Sequence, residues 1–190
     1  MSEAESTMSV PGDLLRAISE RSGRVTFVLG AGCSLEEPTS LELSSVYSKA
    51  IFDRLIADGE LVDDECADPW DLSCVASAVH DKFGDQRRVV ERLPRNDFRY
   101  AKANDGYLLA AALLAEGAVS CVATLNYDLA LTDAVRQLDA RGVNEIAGPS
   151  HLAEFGPSAI VYLHRNVNEQ DVEKWILRKE ALDREWESGW

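Results

Sequence analysis

Three short segments carry residue types that suit chemistry better than packing: Gly30-Ala31-Gly32-Cys33-Ser34, Thr124-Leu125-Asn126-Tyr127-Asp128 and His164-Arg165-Asn166. Each follows an apolar run that reads as a strand. A Gly-x-Gly turn lets the backbone bend tightly and approach a pyrophosphate, whose charge backbone N–H groups then neutralise. The same turn also serves as a bare strand-to-helix connection, and alone it decides nothing. Leu35 stands where the usual dinucleotide fingerprint has its third glycine. The acid of that fingerprint, about 20 residues further on at the end of a second strand, is missing too. Asp53 lies near that distance but inside a helical pattern, so an ordinary dehydrogenase is disfavoured.

The second segment says more. Asn126 and Asp128 are two residues apart, so in extended chain they project to the same side. An amide can orient water or a sugar hydroxyl, and a carboxylate can accept from an amide or a ribose. Asp128 also suits the start of the following helix, and both roles are open to it. His164 closes a strand with apolar neighbours Val161 and Leu163. A lone histidine there is more often structural; beside the other two segments it becomes a candidate site residue. His151, in a loop after Gly148-Pro149-Ser150, carries no functional expectation.

The elements that must hold these segments follow from periodicity. Residues 1–12 read as a flexible leader and 13–190 as one domain. A helix spans Asp13 to Arg21, and Val25 to Leu29 reads as a buried parallel strand. Thr39 and Glu42 have capping-box spacing and are expected to open the next helix, through Val46, Tyr47, Ile51 and Leu55. Another helix carries Leu72, Val75, Ala76, Val79 and Phe83 on one face, with His80 beside them as packing. Tyr107 to Glu116 is apolar all round and expected to be deeply buried, closed by Gly117. Val119 to Leu125, Val143 to Ala147 and Ala159 to Leu163 read as strands. A helix through Leu131, Ala134, Val135 and Leu138 to Gly142 separates the first two. Trp175 to Leu177 is a short apolar piece before a helix to Trp186. Strands alternating with helices predict an α/β fold, a Rossmann-like parallel sheet with helices on both faces.

Charge narrows the partners. With 33 acids against 19 bases the formal net charge is −14, which disfavours direct nucleic-acid binding. An anionic ligand then needs a local cradle. The acids between Asp58 and Asp71 read as a solvated loop. The four cysteines, Cys33, Cys66, Cys74 and Cys121, lack zinc-ribbon spacing, so free thiols and no metal are expected. The longest apolar run, Tyr107 to Ala115, is about half of what a bilayer requires, and no membrane association is expected. The N-terminus has neither a basic start nor an apolar core, so the expected location is cytoplasmic.

In this order the three motifs resemble the sirtuin-like NAD-binding family, whose segments read G-A-G-x-S, T-x-N-x-D and L-H-G. Tyr127, with no zinc cysteines, is more similar to the bacterial NAD-hydrolysing anti-phage defence branch than to the protein deacylases. The resemblance covers roughly Val25 to Trp186. It implies that NAD is the substrate, with no metal, and that Gly30, Ala31, Gly32 and Ser34 hold the pyrophosphate. It places Thr124, Asn126 and Asp128 around the nicotinamide ribose and carboxamide, with His164 acting on ribose hydroxyls or water. Asn126 and His164 would be the catalytic pair, in an NAD glycohydrolase that yields nicotinamide and ADP-ribose and depletes NAD during phage infection. The alternative is a catalytically reduced subunit that binds NAD or ADP-ribose, or docks in a larger complex. Two departures accompany the resemblance. Arg165 stands where the family has glycine, which would put a cation beside the reacting sugar. The chain also ends where the family's last strands would begin, which leaves three expectations open: a piece of a longer protein, a site completed by a partner chain or a second copy, or weakened cofactor binding.

Overall fold

Three apolar runs and one short polar segment become strands: β1 (Thr26–Leu29), β2 (Cys121–Thr124), β3 (Asn144–Ile146) and β4 (Ala159–Tyr162). The computed structural model describes residues 10–21 and 23–181. All three strand pairings are parallel, in the order β1-β2-β4-β3. Leu29, Thr124 and Tyr162 stand in one row across the sheet. The segments that follow β1, β2 and β4 therefore leave the same edge side by side, as the α/β expectation requires. The fold is α/β and Rossmann-like.

The helices are α1 (Gly12–Ser19), α2 (Ser44–Ala57), α3 (Leu72–Phe83), α4 (Arg87–Arg92), α5 (Arg95–Tyr100), α6 (Asp105–Ala115) and α7 (Ala130–Gln137). α3 begins where the Asp71 side chain accepts from Ser73 N at 2.8 Å, and ends at Gly84 in the left-handed region, φ 81°. α6 begins at Asn104, whose side chain accepts from Tyr107 N. The two faces of the sheet are unequally covered. Phe27, Leu29, Val122, Ile160 and Tyr162 join the main core, with Ile51, Leu55, Val75, Val79, Leu114 and Leu131 of the helices. Ile146, Ala159 and Val161 form a second, small cluster with Cys121 and Leu163.

Several expectations need correction. β1 is an edge strand rather than a buried one, and Val28 is 66% exposed. Among the described residues only β2 pairs with β1. The Thr39–Glu42 capping box does not form. Thr39 is buried and donates from its hydroxyl to the Lys102 carbonyl at 2.6 Å, and α2 opens at Ser44. α6 is not buried all round, because Leu109 faces outward. The acidic segment is solvated as expected, with Asp58, Asp63, Asp64, Glu65, Asp68 and Asp71 exposed, and ion pairs fasten it: Arg92 with Asp58 at 2.6 Å and Glu60 at 3.0 Å, and Lys82 with Glu65 at 2.8 Å. Residues 1–9 of the expected leader and 182–186 of the expected last helix lie outside the described residues. Among the described residues, no helix is long and apolar enough to cross a membrane.

Candidate functional site

A cavity of about 500 Å³ opens at the carboxyl edge of the sheet. Its floor comes from the three strand ends: Gly30 and Ala31 after β1, Asn126 and Asp128 after β2, and His164 after β4. Ser34, one turn beyond the glycines, completes the floor. Its walls come from segments far apart in the chain, including Tyr47, Trp70, Phe98 and Ile176. Open parallel sheets bind ligands in this position because neighbouring loops diverge there and leave a crevice.

The floor is held by a hydrogen-bonded chain. Asn126 Nδ2 lies 2.8 Å from Tyr107 Oη and 3.1 Å from both the Gly30 carbonyl and Ser34 Oγ. Tyr107 Oη and Ser34 Oγ are 2.7 Å apart, and Ser34 Oγ donates to Asp128 Oδ2 at 2.9 Å. The serine proton is directed at the carboxylate, so the tyrosine proton goes to the serine and the amide proton to the tyrosine. Each bond in such a chain polarises the next, which fixes the rotamers of all four side chains. Asp128 Oδ1 also accepts from Ala130 N at 3.0 Å, so this residue serves the α7 start and the site together. Burial pushes the Asp128 carboxyl above the ordinary carboxylate range, against hydrogen bonds from the Ala130 backbone and Ser34 that favour its charged form.

Asn126 is oriented by these bonds. Its amide nitrogen faces the protein, and among the described residues none donates to Oδ1, the end able to accept from a ligand hydroxyl. His164 is half-buried beside Tyr127, with ring centroids 6.0 Å apart. Burial lowers its pKa, so its neutral form prevails at neutral pH. Tyr127 stacks in turn on fully buried Trp175 at 5.1 Å and donates to the Ile176 carbonyl at 3.0 Å. This stack ties the segment after β4 against the floor and places Ile176 in the wall.

Gly30, Ala31, Ser34, Asn126, Asp128 and His164 thus share one cavity. Gly32 and Thr124 do not line it. Gly32 is exposed on the outer side of the 3-10 turn Ala31–Ser34. Thr124 is buried below the floor, where its Oγ1 accepts from Asn126 N at 3.1 Å and shapes the chain. Arg165 is also absent from this cavity. Its φ of 71° swings the chain immediately after His164, and its side chain enters a separate cavity beyond β4. Arg165 therefore does not share the cavity that His164 lines, contrary to the expectation that it stands beside the site. Tyr107 was missed because its hydroxyl sits in an otherwise apolar helix. The only signal was a polar atom on the buried face of α6, and a buried phenol needs a partner.

Among the described residues, no group of three His, Cys, Asp or Glu side chains is placed to hold a metal ion. The four cysteines are free, with Cys33 exposed on the glycine turn. No family model and no curated protein matches this chain.

Proposed function

We propose that this cavity takes NAD and that the chain hydrolyses the nicotinamide–ribose bond, as the resemblance to sirtuin-like domains implies. The observation that carries this reading is the convergence of Asn126, Asp128, His164 and the Gly30-Ala31 turn on one cavity of about 500 Å³. That volume suits a small-molecule site. Arg165 adds support: it adopts a left-handed φ of 71°, a conformation that glycine takes without strain, at the position where the family has glycine.

The chemistry asks little of a protein. Water adds at the anomeric carbon, the bond to nicotinamide breaks, nicotinamide leaves as a neutral molecule, and one proton is released. The transition state resembles an oxocarbenium ion, so catalysis consists of fixing the sugar, shielding the cation and positioning water. Asn126 Oδ1 would accept from a ribose hydroxyl. Neutral His164 would take the proton from a hydroxyl or from the attacking water. The first N–H groups of a helical turn have no partner within that turn, so Ala31 N–H is suited to a phosphate oxygen. Trp70, more than half exposed at the rim, offers a ring face for stacking a base.

Two results test this. Gly30 has extended backbone, and a Cβ added there meets nothing within 4 Å, so Gly30→Val should fold, as a thermal melt checks, and fill space where the ligand would lie. Calorimetry with NAD should show its affinity reduced at least about tenfold, whereas Gly32→Val, outside the cavity, binds like wild type. The reverse ranking would mean that the outer side of the turn is the binding surface.

The second result is a pH profile. A base whose pKa is lowered stays competent below the ordinary histidine value of about 6.5 and is lost only on further acidification. Initial rates of nicotinamide release should be flat near neutrality and fall at a pH below about 6.5. Stability follows the same sign, because the unfolded chain binds the proton first and the fold weakens as pH drops. A rate that rises on acidification would show that His164 acts as its protonated form.

A further inference from the structure

Tyr47 is a polar group in an apolar wall, with no part in the hydrolysis as derived so far. It stands in the first turn of α2, half-buried, and lines the cavity at the sheet edge. Its ring is held edge-on against buried Phe98, with centroids 5.5 Å apart and planes at 81°, and Leu41 and Leu93 line the same cavity. Its hydroxyl oxygen accepts from Glu42 N at 2.9 Å. A phenol has one proton to give, and among the described residues no group accepts it. Burial, against the bond from Glu42 N and with the charges of Asp97, Glu42 and Asp128, holds its pKa above the ordinary phenol value. The proton therefore stays on, and Tyr47 is a donor whose ring is fixed.

The charges around Tyr47 select what it can meet. Glu42 and Asp128 line the cavity with it, and among the described residues no Lys or Arg does. Carboxylates without a cation repel a phosphate oxygen from this donor. With NAD as the ligand, three kinds of acceptor remain. Ribose hydroxyls are the groups that Asn126 Oδ1 and His164 serve at the floor. Adenine offers ring nitrogens but no carbonyl. Nicotinamide carries a carbonyl on its carboxamide and, within NAD, a positive charge on its ring. Its flat faces suit a wall of Phe98, Leu41 and Leu93. The acids that repel phosphate attract this cation.

We propose that Tyr47 donates its hydroxyl proton to the carboxamide oxygen of nicotinamide and so determines which pyridine leaving group the cavity accepts. This role rests on the NAD reading of the cavity, and free nicotinamide tests it without any bond being cleaved. The probes are nicotinamide and methylpyridine, which has a methyl group in place of the carboxamide, titrated by NMR into the full wild-type chain and into Tyr47→Phe. Phenylalanine keeps the ring against Phe98, and Glu42 is exposed, so water can take its N–H. Thermal melts check that the variant folds. Nicotinamide should bind saturably, and about fivefold or more weakly to Tyr47→Phe, while methylpyridine binds both chains alike. A loss of affinity equal for both probes would make Tyr47 a support of the wall and overturn the role. So would nicotinamide affinity unchanged in Tyr47→Phe, or no saturable binding of nicotinamide to wild type. Hydrolysis is judged separately. Nicotinamide released from NAD by Tyr47→Phe at the wild-type kcat/KM would leave hydrolysis standing and refute this role. Nicotinamide bound through Tyr47 by a chain that cleaves no NAD would refute hydrolysis and leave this role standing.

Discussion

Replacing His164 with alanine should lower the rate of nicotinamide release about 100-fold or more while leaving the melting temperature near that of wild type. The side chain lines the cavity, is half-buried, and has no hydrogen-bond partner among the described residues. Removing a positioned general base typically has an effect of this size. Asn126→Ala should reduce the rate as severely, but with a different second signature. Its amide serves Gly30, Ser34 and Tyr107, and the residue is almost fully buried. Those groups lose a donor, so about 1–3 kcal/mol of stability should be lost as well. Chromatographic quantification of nicotinamide, with urea unfolding of each variant, separates the two. A His164 variant as active as wild type would remove the histidine from the mechanism.

The largest loss of stability should come from Trp175→Ala. Trp175 is fully buried, stacks on Tyr127 at 5.1 Å, and donates from Nε1 to the Glu169 carbonyl at 3.1 Å. Its own carbonyl accepts from Gln86 Nε2 at 2.7 Å, which ties the segment after β4 to the start of α4. Truncating a buried tryptophan costs about 3–5 kcal/mol, a large part of the about 5–15 kcal/mol that holds a domain folded. Trp175→Phe should cost clearly less, because it keeps a ring against Tyr127 and loses only the indole N–H. Urea midpoints measure both. The alanine variant should also bind NAD more weakly even where folded, since Ile176 in the cavity wall is held next to this stack. A loss below about 1 kcal/mol would mean the segment after β4 is not fastened by its aromatics.

What could be read from the sequence was local. The three strand ends are marked by a change from apolar to polar residues, and parallel pairing brings Gly30, Asn126 and His164 to one edge. The two-residue spacing of Asn126 and Asp128 does put both into the same cavity. α3 matches its apolar stripe from Leu72 to Phe83. The rest depended on neighbours that no local pattern reveals. Strand order makes β1 an edge, which periodicity within Val25 to Leu29 cannot indicate. Thr39 has the spacing of a cap, yet a carbonyl from Lys102 takes its hydroxyl. Tyr107 enters the site because α6 packs under the floor, and Trp70 because the loop before α3 reaches the rim. The direction of Arg165 rests on one backbone dihedral, invisible in residue type alone.

NAD cleavage at the ends of β1, β2 and β4 is the proposed activity of this cavity. The most direct measurement is nicotinamide and ADP-ribose released from NAD by the purified, folded wild-type chain across a range of NAD concentrations. Saturable release of the two products in equal amounts, absent from the Asn126→Ala and His164→Ala proteins, is the predicted result. Release no greater than in buffer at every concentration, from a chain whose unfolding is cooperative, would contradict it.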